Sequence, residues 1–247
     1  MIAQTTDSVK FLGVSFPIID ITYFDPKPEL FVNTWVPPDH QDRRSFAAEW
    51  EIDEQQLFRL VSISAPILGG SIPFHRIYPN EPTSVMSRYI GEIVLLDEQQ
   101  RRYEPIGNSS RLVYETFLMI QNGKLVLREV YDLRNGQRVE AEITPYLEDF
   151  FPEEEAAFLR RINQDIVDQA PKLIYADWLE EHQLESQAEQ VREYAKLWTN
   201  SGPKLSLELP TNRNSYPSPE LNYLWLRLLG FREGASNTYR DYRNGHV

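Results

Sequence analysis

The chain has 247 residues, with 25 Lys+Arg against 37 Asp+Glu and a formal charge of −12. Its hydrophobic content of 41%, with 12% aromatic residues, can fill a sizeable core, so the chain is not a disordered one. The charge excludes a general polyanion binder, which needs clustered Lys and Arg, and zero cysteines exclude a disulfide scaffold and thiolate-held zinc or iron–sulfur centres.

Residues 1–7 are polar and carry no Lys or Arg, unlike a secretory leader. The uncharged stretch 60–74 is broken by Ser62, Ser64, Gly69, Gly70 and Ser71 and is too short for a bilayer. It reads as a strand, a glycine turn and a second short segment. A cytoplasmic protein with no membrane partner is expected.

In chain order, residues 31–36 (FVNTWV) form a candidate strand stopped by Pro37 and Pro38. Residues 45–52 (SFAAEWEI) and 57–63 pair through Asp53-Glu54-Gln55-Gln56, and residues 89–96 (YIGEIVLL) form another strand. Residues 114–121 and 124–131 flank Asn122-Gly123, a dipeptide that takes the positive φ angles of a type I′ hairpin turn. Asn135-Gly136 repeats that chemistry before a strand through Val139–Ile143. The first 150 residues therefore predict an antiparallel β domain.

At Pro152-Glu153-Glu154-Glu155 the pattern becomes helical. Phe158, Leu159, Ile162 and Ile166 make one apolar stripe, and the acidic run suits a helix N-terminus. A second helix spans 170–182, with Asp168 as N-cap and Pro171 in the first turn. On it Leu173, Ala176 and Leu179/Glu180 share one face, and Ile174, Asp177, Trp178 and Glu181 another. Ala188, Val191, Ala195 and Trp198 mark a third helix. After Ser201-Gly202-Pro203, residues 219–229 predict a short helix with Leu221, Leu224, Trp225 and Leu228 on a face that must dock back. The expected organisation is α+β: an antiparallel domain over 1–150, a helical module over 151–200 and an extension over 201–247.

The helical stretch carries a resemblance. Glu155-x-Ala157-Phe158-Leu159-x-x-Ile162, the run from Ala170 through Tyr175-Ala176-Asp177-Trp178-Leu179-Glu180-Glu181-His182, and Ala188-Glu189-x-Val191-Arg192 together resemble the repeat-companion domain. That is a small bacterial family found in planctomycetes and myxobacteria beside unrelated domains or repeat arrays. Gln183 stands where the family commonly has Gly, and Gln190 where it has an apolar residue. The resemblance covers about residues 153–198 and implies a small helical module with no established catalytic activity. The N-terminal region resembles an unnamed, uncharacterised bacterial β domain.

No His-Glu-x-x-His, phosphate loop or nucleophile elbow is present. The four histidines, His40, His75, His182 and His246, lack the spacing of a helical metal pair. No catalytic residue, metal ligand or cofactor is expected. Tyr175 and Trp178 pack the second helix against its neighbours, with Asp177 pairing with Arg160, Arg161 or Arg192, or they present a docking surface. In the docking reading Tyr175, Asp177, Trp178, Glu180 and Glu181 contact another protein with a basic surface, and the chain is a non-enzymatic adaptor, regulator or immunity-type binder. The alternative is a small-molecule-binding β domain with Trp50, His75 and Tyr78 in its pocket. A third reading is a hydrolase with a His/carboxylate site at His75.

Overall fold

The computed structural model describes residues 7–23, 47–65, 70–77, 83–87, 89–95, 104–106, 109–111, 114–132, 137–197 and 219–230. The candidate strand 31–36 and Tyr78 lie outside them.

The fold is α+β, as the sequence predicts. Strands β1 (Ser8–Phe11), β2 (Val14–Tyr23), β3 (Ala47–Ile52), β4 (Phe58–Ala65), β5 (Gly70–Pro73), β6 (Gly91–Leu95), β9 (Tyr114–Gln121), β10 (Lys124–Asp132) and β11 (Gln137–Ile143) form one sheet. Its order is β11-β10-β9-β6-β2-β1-β3-β4-β5. A separate ribbon pairs β7 (Glu104–Ile106) with β8 (Ser109–Arg111). Four residues, Phe74–Ile77, form the short helix α1 directly after β5. The larger helices are α2 (Glu153–Gln164), α3 (Ala170–Glu181), α4 (Glu185–Leu197) and α5 (Pro219–Leu228), and a 3-10 turn, Pro145–Asp149, precedes α2. Among the described residues no helix is long and apolar enough to cross a membrane.

The sequence predicts an antiparallel sheet, and the structure adds one exception. β1 runs parallel to β3, with Val9 opposite Trp50, so the sheet is mixed. β1 and β2 form a hairpin closed by Leu12 and Gly13 at φ 50° and 80°. β3 and β4 pair antiparallel as predicted, with a bulge at Glu49/Trp50. The stretch 60–74 resolves into the antiparallel pair β4/β5.

Contacts divide the chain into two units, Met1–Arg128 and Glu129–Val247. Composition changes at Pro152, whereas the second unit begins within β10. Glu129 on β10 and Arg138 on β11 pair with each other and with groups on α2 and α5, which ties these strand residues to the helices.

In the first unit, alternate residues of β1, β3 and β4 point inward. Val9, Phe11, Trp50, Ile52, Phe58, Leu60, Tyr89, Ile93, Leu118 and Ile120 belong to one apolar core. Trp50 stacks on Phe58 with centroids 4.8 Å apart, and Phe58 meets Tyr89 at 4.7 Å. The predicted hairpin turn is realised, with Asn122 at φ 50° and Gly123 at φ 74°. Its tip is held by backbone alone: the Gly123 N–H donates to the Tyr89 carbonyl (3.0 Å), and the Gly123 carbonyl accepts from the Phe58 N–H (2.8 Å). A Cβ at Gly123 would stand 2.6 Å from the Met86 carbonyl oxygen, so only glycine fits this close approach.

In the second unit, Leu159, Ile162 and Ile166 of the predicted stripe are buried, and Phe158 is half-buried. The predicted docking of α5 takes an extreme form. Leu224, Trp225, Leu226, Arg227, Leu228 and Leu229 are successive residues and all buried, so this part of α5 is enclosed on every side.

Candidate functional site

The run 170–182 becomes α3, which starts at Ala170 as expected, but its cap differs. The N-cap position is Gln169, which makes no side-chain cap, while the Asp168 Oδ1 accepts from the Ala170 N–H at 3.0 Å. Asp168 thus ties the approach to the helix from one residue outside it. The inward stripe is Lys172, Tyr175, Ala176 and Leu179, at the i, i+3, i+4, i+7 spacing of a helix face. Leu173, which shares a side of the helix with Ala176 and Leu179, lies outside that stripe and is 42% exposed.

This register buries Tyr175 completely. Its hydroxyl donates to the Glu155 Oε1 at 2.6 Å and accepts from the Trp225 Nε1–H at 2.8 Å. Tyr175 therefore departs from the five-residue docking set and serves the interior, linking α2, α3 and α5. Lys172 is buried too and donates to the carbonyls of Ile166 and Asp168. Burial pushes its ammonium down to about 8; Asp165 and Asp168 pull against that shift and Arg138 adds to it.

The other four predicted residues reach the surface. Asp177, Glu180 and Glu181 are exposed and Trp178 is half-buried. The Trp178 ring lies 6.0 Å from Tyr175 and 5.7 Å from Phe158, and its Nε1–H points to the Glu154 Oε2 at 3.4 Å. His182 stacks on its other flank at 4.1 Å. The His182 Nδ1 lies 2.8 Å from the Trp178 carbonyl; a carbonyl only accepts, so that nitrogen carries the hydrogen. Of the three expected arginine partners for Asp177, the structure selects Arg192. Its Nη2 bridges Asp177 at 2.8 Å and Glu180 at 2.5 Å, and these bonds hold the guanidinium above its ordinary value.

Sequence counting misses how the cations of this segment are spent. Residues 151–200 contain 11 acids and 5 bases, a net of 5 − 11 = −6. Lys172 is buried among carbonyls, Arg160 pairs with Glu148, and Arg192 is shared by two carboxylates. Glu153, Glu154, Glu181, Glu185, Glu189 and Glu193 are exposed. On α3, Ile174 is 59% exposed and Leu173 42%, two of the six large apolar side chains exposed among the described residues. The surface is an apolar and aromatic strip set among carboxylates.

Of the alternative pocket residues, Trp50 and His75 are among those described, and Tyr78 is not. Trp50 is in the apolar core of the first unit, while His75 is exposed on α1. Among the described residues no group of three or more His, Asp or Glu side chains forms a metal-binding cluster. Compared with protein-family models, curated proteins and solved structures, the chain matches none.

Proposed function

We propose that the chain is a non-enzymatic protein-interaction module, an adaptor, regulator or immunity-type binder, whose α3 face engages a partner with a basic surface. The resemblance of residues 153–198 to the repeat-companion domain fits this reading, as does a cytoplasmic setting for a chain with zero cysteines. The observation that carries it is that α3 presents exposed Leu173 and Ile174 and half-buried Trp178 beside exposed Asp177, Glu180 and Glu181, the first two of these carboxylates sharing Arg192. Apolar side chains supply affinity once covered. The acidic field speeds encounter with a cationic partner and repels acidic ones.

The test is affinity purification from the native source at low and moderate salt, with partner stoichiometry read by mass spectrometry. A near-stoichiometric basic partner that weakens with salt is the expected result. The double variant Glu181→Lys/Glu185→Lys should lose that partner while its stability moves by less than about 0.5 kcal/mol, because both sites are exposed. Undiminished capture by this variant would remove the acidic face from the explanation.

A further inference from the structure

We propose that the partner docks an amphipathic helix across α3, with Lys or Arg at the end that meets Glu181. This inference rests on the interaction reading above and adds the shape and polarity of the partner.

On a helix, residues four apart line up in inclined rows. Ala170, Ile174, Trp178 and His182 form one row of α3, and Leu173, Asp177 and Glu181 form the adjacent one. All are exposed except the half-buried Trp178. The shallow groove between two such rows accepts a matching ridge from another helix, crossing at about −50°.

The nature of the surface selects a helix over an extended segment. An extended peptide gains affinity by hydrogen-bonding to a free sheet edge, and a helix flank offers no such backbone groups. Laid on Leu173 and Ile174, an extended backbone would lose water without replacement partners. A helix arrives with its backbone already satisfied and contributes side chains alone.

The strip is also graded along its length. Its N-terminal half holds Ala170, Leu173 and Ile174, and its C-terminal half holds Asp177, Trp178, Glu181 and His182, with Glu180 on the next row. The carbonyl end of α3 adds partial negative charge to the acidic half. A complementary helix is therefore apolar at one end of its contact and cationic at the other.

Two labelled peptides test this by fluorescence anisotropy against the full chain. One is an amphipathic Leu/Lys helix of roughly 18 residues, long enough to hold a helix in water. The other has the same composition with alternate residues of D configuration, and cannot form that helix. The helical peptide should bind about 10-fold tighter, and Ile174→Asp should remove about that factor, equal to one partly buried apolar side chain. Leu173→Asp is the second variant should Ile174→Asp disturb folding by circular dichroism. Equal binding of the two peptides, or a helical preference that survives both substitutions, overturns the docked helix and leaves the acidic-face reading standing. No binding of either peptide at low salt overturns both.

Discussion

The two units keep their interiors in register by different means. The first buries Asp7 and Glu115 but is built chiefly on an aromatic and aliphatic core, and its Gly123 tip is tied by backbone hydrogen bonds. The second buries charge. Glu129 receives Arg138 at 3.0 Å and Arg227 at 2.9 Å, the Asn163 side chain donates to the Leu228 carbonyl at 3.3 Å, and Lys172 and the Tyr175 hydroxyl are inside. An apolar core tolerates many arrangements of similar volume, whereas a buried ion pair tolerates few because each displaced charge is stranded.

Four variants sharpen this contrast, each read by urea denaturation of the full chain. The largest effect belongs to Arg227→Ala, which strands part of the Glu129 charge and should cost about 3 kcal/mol. The double change Glu129→Gln/Arg227→Met should recover much of that loss, since it removes the charge with its partner. If the single change costs under about 1 kcal/mol, buried charge is not what fixes α5.

Gly123→Ala should cost about 2 kcal/mol, by strain at positive φ and by driving a methyl group against the Met86 carbonyl. Here no conservative rescue exists, because the neighbour is backbone. A neutral result would show that the loop bearing Met86 yields, and the first unit would then lack a rigid junction.

The third effect is read as a slope with pH and not as a single loss. Lys172 titrates at about 8 when folded against 10.5 when free, so between those values the unfolded chain binds more protons and stability rises with pH. Below pH 8 both states are charged and the burial penalty is fully present. Lys172→Met should flatten the rise between about pH 8 and 10.5, seen as the difference between wild-type and variant curves. Parallel curves would mean that Lys172 keeps its ordinary proton affinity in the folded chain.

The same contrast explains what could be read from the sequence. The Asn122-Gly123 hairpin, the helices beginning near 153, 170 and 219, and a third helix through Ala188, Val191 and Ala195 follow from local chemistry, and the structure reproduces them. β1 and β2 carry a weaker turn, Leu12-Gly13, with an 78%-exposed leucine at positive φ, and local patterning does not mark it. The parallel alignment of β1 with β3 depends on a long connection and has no local signature. At the candidate site, four of the five docking residues reach the surface. Tyr175 does not, because the inward stripe of α3 is set by Glu155 and Trp225, the second of them 50 residues away. The exposure of Ile174 follows from the same register. The engagement of Arg192 and Lys172 required geometry as well, since composition counts charges without saying which are already paired.

The enclosure of α5 also has a consequence in time. A ribosome making about 5–20 residues per second finishes the first unit, which closes at Arg128, well before it adds Leu229. During that interval of several seconds α2, α3 and α4 can form locally, but Trp225 and Arg227 have not yet been made. Tyr175, Asn163 and Glu129 must wait for them. The nascent chain thus carries a finished sheet core joined to a helical unit lacking its central strut, and this is the interval in which a protease or a chaperone would find it.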